Sequence, residues 1–195
     1  PVGALASFVA TFEAFLGLLG FAIATGLFYG RFSRPRAYLK FSETAVVAPF
    51  EEGSAIMFRV ASYKNNMLSE AEVNITAAIE ENIDGKLVSK FYQIEPTLKK
   101  INSFSLNWTL VHKIDSNSPF YGFSEDDFKN TDIELIIMIK AFDEVFANTV
   151  VQRTSYITPE IVYGARFLPM YHSSEDNKTT ILDLDKIDDY QVVKI

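Results

Sequence analysis

The first 30 residues contain one charged side chain, Glu13. No other feature limits the fold as strongly, because about 20 apolar residues suffice to cross a hydrocarbon core about 30 Å thick. The stretch predicts a transmembrane helix over residues 1–32. Its basic flank follows it, at Arg31, Arg34, Arg36 and Lys40, whereas a secretory signal carries its bases in front. Excess positive charge marks the cytoplasmic side, so everything after Arg31 is expected in the cytoplasm, inside the cell's inner (plasma) membrane, with Pro1 outside. An outside N-terminus without an initiator methionine carries the further expectation that earlier membrane segments precede Pro1.

Charge divides the chain in the same way. Residues 1–40 hold one acid against four bases, net +3, and residues 41–195 hold 24 acids against 14 bases, net −10. A body that acidic has no basic face for phosphates, which excludes nucleic acid as a partner. The chain has no cysteine, hence no disulfide scaffold, thiolate zinc site or cysteine nucleophile. Two histidines, His112 and His172, leave little for a metal site or a catalytic triad. Phosphate loops, dinucleotide fingerprints, zinc-protease helices and nucleophile elbows are all missing from the sequence. The acid pairs Glu51/Glu52, Asp126/Asp127 and Asp188/Asp189 are sequence neighbours whose side chains diverge, so they read as surface, and the acidic run 183–189 reads as a solvated tail. No catalytic residue, metal site or cofactor is expected.

Within the apolar stretch, Gly17, Gly20 and Gly26 lower the cost of bending and are hinge candidates. Small residues at three- and four-residue spacing also let helices approach closely in any membrane bundle. Glu13 is costly in lipid unless it faces protein or water, or lies near enough to the outer interface to snorkel.

After Pro35 the pattern becomes one of strands. Residues 44–50 and 55–63 read as a hairpin, 67–79 alternate, and Asp84-Gly85 signals a tight turn into 86–94. Strands follow at 104–114, 133–142 and 149–157, with a last one at 167–171. Residues 124–127 (SEDD) supply the cap and first-turn acids of one short helix. About eight strands with little helix make a β-sandwich the economical fold.

Residues 111–122 (VHKIDSNSPFYG), 134–139 (ELIIMI), 152–156 (QRTSY) and 160–167 (EIVYGARF) resemble, in order and spacing, the cytoplasmic domain of inward-rectifier potassium channels. Residues 10–20 (ATFEAFLGLLG) and 31–36 (RFSRPR) resemble the inner helix and membrane-proximal connection of the prokaryotic members. The resemblance implies a homotetramer with four inner helices lining a pore, followed by a basic linker over 33–43 and an immunoglobulin-like β-sandwich over 44–195. Potassium ions would be the transported species, passing passively, and membrane lipid a regulator. The selectivity filter would lie ahead of Pro1; residues 25–30 (TGLFYG) have filter-like glycines at the wrong spacing.

Carried over by position, Phe21 stands where strongly rectifying members have an acid. Phe21, Thr25 and Tyr29 would line the cavity, and Tyr29 matches the cytoplasmic constriction. Arg31, Arg34, Arg36 and Lys40 match the anionic-lipid-binding linker. Glu70 corresponds to an acid on the cytoplasmic pore wall, and Val145, Phe146, Ala147 and Asn148 to the loop that narrows that pore. Helix packing, topology determination and ordinary surface positions remain the plain alternatives. For the whole chain, the alternative is a single-pass anchored sandwich that binds a cytoplasmic protein.

Overall fold

The apolar stretch folds as one helix, α1 (Ala4–Phe32), 29 residues long. Alanine and leucine favour helix, no proline interrupts them, and the residue ahead of Pro35 is biased away from helical geometry. At its C-terminal end both the backbone N–H and the hydroxyl of Ser33 donate to the Tyr29 carbonyl, at 2.9 and 2.6 Å. At 1.5 Å per residue α1 is about 43 Å long, and it is long and apolar enough to cross a membrane. None of its residues is buried.

The computed structural model describes residues 3–64 and 67–195. Two units are distinguished, Pro1–Pro35 and Arg36–Ile195, and the second is an immunoglobulin-like β-sandwich. Its strands are β1 (Leu39–Phe41), β2 (Ala45–Phe50), β3 (Gly53–Ser62), β4 (Leu68–Ile83), β5 (Lys86–Ile94), β6 (Lys100–Phe104), β7 (Asn107–Ile114), β8 (Ile133–Asp143), β9 (Asn148–Ile157), β10 (Ile161–Tyr163), β11 (Ala165–Phe167), β12 (Tyr171–Ser173), β13 (Thr180–Leu182) and β14 (Tyr190–Val192). One sheet has the order β1-β3-β2-β10, with β7 also on β3; the other has the order β5-β4-β8-β9, with β6 also on β4. Period-two alternation sends Ile56, Phe58 and Val60 of β3, Val73, Ile75 and Ala77 of β4, and Ile133, Leu135, Ile137 and Ile139 of β8 into one core. The apolar centre of the 133–142 segment is accounted for by the position of β8 between β4 and β9.

Local chemistry explains most boundaries. Asp84 and Gly85 both take positive φ, 52° and 78°, the backbone a two-residue hairpin needs. The short helix α2 (Glu125–Asn130) starts with a full capping box between Ser124 and Asp127.

Three expectations need correcting. The segment 104–114 is two strands, since Phe104 ends β6 and Asn107 opens β7. No strand covers 167–171; β11 ends at Phe167 and β12 begins at Tyr171, and Pro169 between them lacks the N–H that a ladder requires. The tail is not simply solvated, because Ile187 is fully buried with Ala61 and Met170 in a second small core. Apolar residues spaced among the aspartates dock the segment on the outer face of β3.

Candidate functional site

Phe21, Thr25 and Tyr29 advance by four residues, about 40° of helix rotation per step, so they form one slowly turning stripe on α1. Phe21 is 72% and Tyr29 75% exposed. The Thr25 hydroxyl donates to the Phe21 carbonyl at 2.8 Å, which turns its oxygen lone pairs, not its proton, outward. Helical backbone runs unbroken through Gly17, Gly20 and Gly26, and a Cβ at any of them would meet nothing within 4 Å. Glu13 is exposed on the same helix, about 14 Å along it from Ala4.

The four bases differ in setting. Arg31 lies in the last turn of α1, where a cation complements the helix dipole. Arg34 and Arg36 are exposed on irregular backbone. Lys40 is half-buried within β1, and its ammonium donates to the Leu184 carbonyl at 3.3 Å. The expected linker over 33–43 thus contains a paired strand, with Lys40 opposite Ala61 of β3.

Glu70 and residues 145–148 come together at one end of the second sheet. Leu68 at the start of β4 pairs with Asp143 at the end of β8. Glu70 sits in a bulge between Ser69 and Glu72 with φ 50°, which turns its side chain out of the ladder. It lies 3.4 Å from the Lys100 ammonium in an exposed ion pair. Beside it the β8–β9 turn presents Val145 and Phe146, 67% and 49% exposed. Ala147 takes φ 47° to close the turn, and Asn148 opens β9 opposite Asp143.

The turn is held by a residue that sequence reasoning missed. Asp143 is 1% exposed, and its Oδ1 accepts the N–H groups of Val145 and Phe146 at 2.9 and 3.1 Å. An aspartate directly ahead of a short turn is the signal for such a side-chain bond to the N–H two residues on. Gln152 of β9 was also missed as a brace: its amide accepts from the Leu39 N–H at 3.0 Å and donates to the Leu39 carbonyl at 2.5 Å, as a neighbouring strand would.

His112 is occupied. Nδ1–H donates to the Glu95 carbonyl and Nε2 accepts from the Ser118 hydroxyl, each at 2.8 Å, and burial pushes the imidazole below its ordinary value. Among the described residues no three His, Cys, Asp or Glu side chains are grouped to hold a metal ion. The arrangement as a whole offers an exposed apolar helix, a basic flank, and an acidic body with one apolar turn beside an acidic bulge.

The chain is 34% identical over 187 residues to the inward rectifier potassium channel Kirbac3.1 of Paramagnetospirillum magnetotacticum, covering 95% of this chain and 63% of that protein. It is 25% identical over 190 residues to the inward rectifier potassium channel irk-1 of Caenorhabditis elegans, covering 93% of this chain and 35% of that protein. It therefore spans less than two-thirds of the length of either relative. Among solved structures, the sporulation control protein Spo0M of Bacillus subtilis aligns over 64% of this chain and 49% of its own at 8% identity, with a TM-score of 0.30, too low to carry an argument. The inward rectifier potassium channel C-terminal domain model matches residues 39–195, well over half of the sequence, and the chain belongs to the inward rectifier potassium channel family.

Proposed function

We propose that this chain supplies the pore-lining helix and the cytoplasmic sandwich of a homotetrameric channel for passive potassium transport. One observation carries the reading: α1 has 29 mostly apolar residues and buries none of them within its own chain, while the sequence that follows matches the channel family's cytoplasmic domain. Members of that family are ion channels, not enzymes. A helix so apolar takes its partners from lipid and from other copies of itself, and small residues at close spacing favour the latter.

In this reading four stripes of Phe21, Thr25 and Tyr29 face a common axis. Phe21 leaves the cavity without the acid that attracts blocking cations. Thr25 offers oxygen lone pairs to a passing ion, and the Tyr29 rings form the narrowest ring at the cytoplasmic exit, closing it sterically or by making it too apolar to stay wet. Glu70 and the 145–148 turn continue the pathway in the cytoplasm. Arg31, Arg34, Arg36 and Lys40 meet anionic lipid headgroups in the inner leaflet. Selectivity belongs to the part of the relatives that this chain does not span.

The test joins this chain to the membrane half of its 34%-identical relative and measures potassium flux in liposomes. Tyr29→Ala is expected to raise basal flux. If Tyr29 instead packs between helices, truncation leaves a cavity that costs roughly 3–5 kcal/mol of assembly stability, and destabilised assemblies with no added flux reject the gate.

A further inference from the structure

The second unit ties its end back to its beginning. Residues 182–190 carry Asp183, Asp185, Asp188 and Asp189 against Lys186, four acids to one base, net −3. Backbone bonds hold this strap near both ends, Asp183 N–H donating to the Met170 carbonyl at 2.8 Å and Leu168 N–H to the Asp189 carbonyl at 2.9 Å, and three side-chain contacts dock it between them. Lys40 donates its ammonium to the Leu184 carbonyl at 3.3 Å, and Asp188 accepts the Glu43 N–H at 2.5 Å. Arg59, 5% exposed, donates to the carbonyls of Lys186, at 3.4 Å, and Leu168, with its guanidinium 4.5 Å from the Phe167 ring centroid. Ile187 seats beneath these contacts against Ala61 and Met170, with Leu182 and Leu184 packed alongside.

Two of the contacts fall on residues 40–43, at the end of the basic segment, and one of them engages its last basic side chain. The Lys40 ammonium is held by an acidic strap where the lipid reading places an anionic headgroup. We propose that residues 182–190 are a latch that competes with an anionic bilayer surface for Lys40, so that headgroup binding there and docking of the strap exclude one another. The inference rests on the lipid reading above and deepens it into a mechanism of regulation.

Electrostatics gives the competition its direction. A negative leaflet attracts Arg36 and Lys40 and repels a strap of net −3, with both effects confined to about a Debye length, roughly 8 Å at physiological salt. At a neutral surface the apolar seat of Ile187 and the Arg59 bonds keep the latch closed. Loss of one hydrogen bond from a charged donor shifts such a local equilibrium by about tenfold.

The test is amide hydrogen exchange on the chain reconstituted in bilayers of phosphatidylcholine alone and of an equal mixture with phosphatidylglycerol. The anionic bilayer is expected to speed exchange at Glu43 and across 183–190 by about tenfold, while residues 34–38 become more protected. Lys40→Met should reduce the lipid dependence of strap exchange to what repulsion of the strap alone supplies, and Ile187→Ala, which changes no charge, should open the strap already in phosphatidylcholine. Equal strap exchange in both bilayers, or a lipid response undiminished in Lys40→Met, overturns the latch. Opening by inorganic phosphate in neutral bilayers overturns the membrane surface as the competitor. The underlying lipid reading fails separately: it falls if residues 34–38 gain no protection and the double variant Arg34→Gln/Arg36→Gln behaves as the parent, whereas protection gained there beside an unmoved strap overturns the latch alone.

Discussion

His112 illustrates how a residue type that invites a functional reading is spent on structure. Its two ring nitrogens hold the Glu95 carbonyl and the Ser118 hydroxyl, and Ser118 Oγ in turn accepts the Phe120 N–H at 3.2 Å. Phe120 is fully buried and stacks on Phe128 with ring centroids 5.6 Å apart. Burial favours the neutral imidazole, so the folded pKa lies below the ordinary value of 6.5, and the unfolded chain binds the proton more readily. Stability is then fully present above about pH 6.5 and falls as pH drops through the window below it, by at most about 1.4 kcal/mol per pH unit for one proton. Thermal unfolding between about pH 7 and 5.5 should show this acid loss, and His112→Gln, less stable at neutral pH, should show a flatter profile; an unchanged slope contradicts the assignment. At this scale the sequence was partly legible. The Asp84-Gly85 turn and the Ser124–Asp127 cap stand where the sequence placed them. Asp143 stayed hidden because a carboxylate that caps its own turn leaves no periodic trace, and Lys40 because its carbonyl partner lies 144 residues away.

At the scale of elements, hydrophobic alternation located the long strands well. The residues that pack β4 and β8 together recur every second position, and the Asp84-Gly85 turn fixes where β4 reverses into β5. Short strands held by non-local pairs were harder to read. β14 pairs antiparallel with β11, Ala165 opposite Val192, and three residues offer too little alternation to register. One glycine governs that pairing. Gly164 has φ 70°, its N–H donates to the Val47 carbonyl at 3.0 Å, and its own carbonyl accepts the Val193 N–H at 2.8 Å. A Cβ there would stand 3.0 Å from the Val193 carbonyl oxygen. Gly164→Ala should therefore cost about 1–2 kcal/mol and release β14, read as lowered unfolding temperature with faster amide exchange over 190–193. Exchange in β4 and β8 should stay as in the parent, since their pairing is remote from the turn. Equal acceleration throughout the sandwich would contradict a local role.

For the whole molecule, the strongest information lay in the partition between an apolar segment with one charge in 30 residues and a body of net −10. That contrast is physical, because the two parts are adapted to different solvents, and it was legible without any structure. The docking of the C-terminal segment was not, since four aspartates in 182–190 mask the few apolar residues that seat it. The central claim is that copies of α1 converge on one axis with the Phe21, Thr25 and Tyr29 stripe facing inward. The chain has no cysteine, so Tyr29→Cys introduces a single thiol, and Leu27→Cys, two residues away and about 160° around the helix, is its control. Leu27 and Tyr29 are similarly exposed on the isolated helix, at 70% and 75%. In the channel joined to its membrane half and reconstituted in bilayers, a short bis-maleimide should couple two copies of the chain efficiently from position 29 and poorly from position 27. Monomers only from position 29, products with other proteins, or equal coupling from both positions would contradict the account.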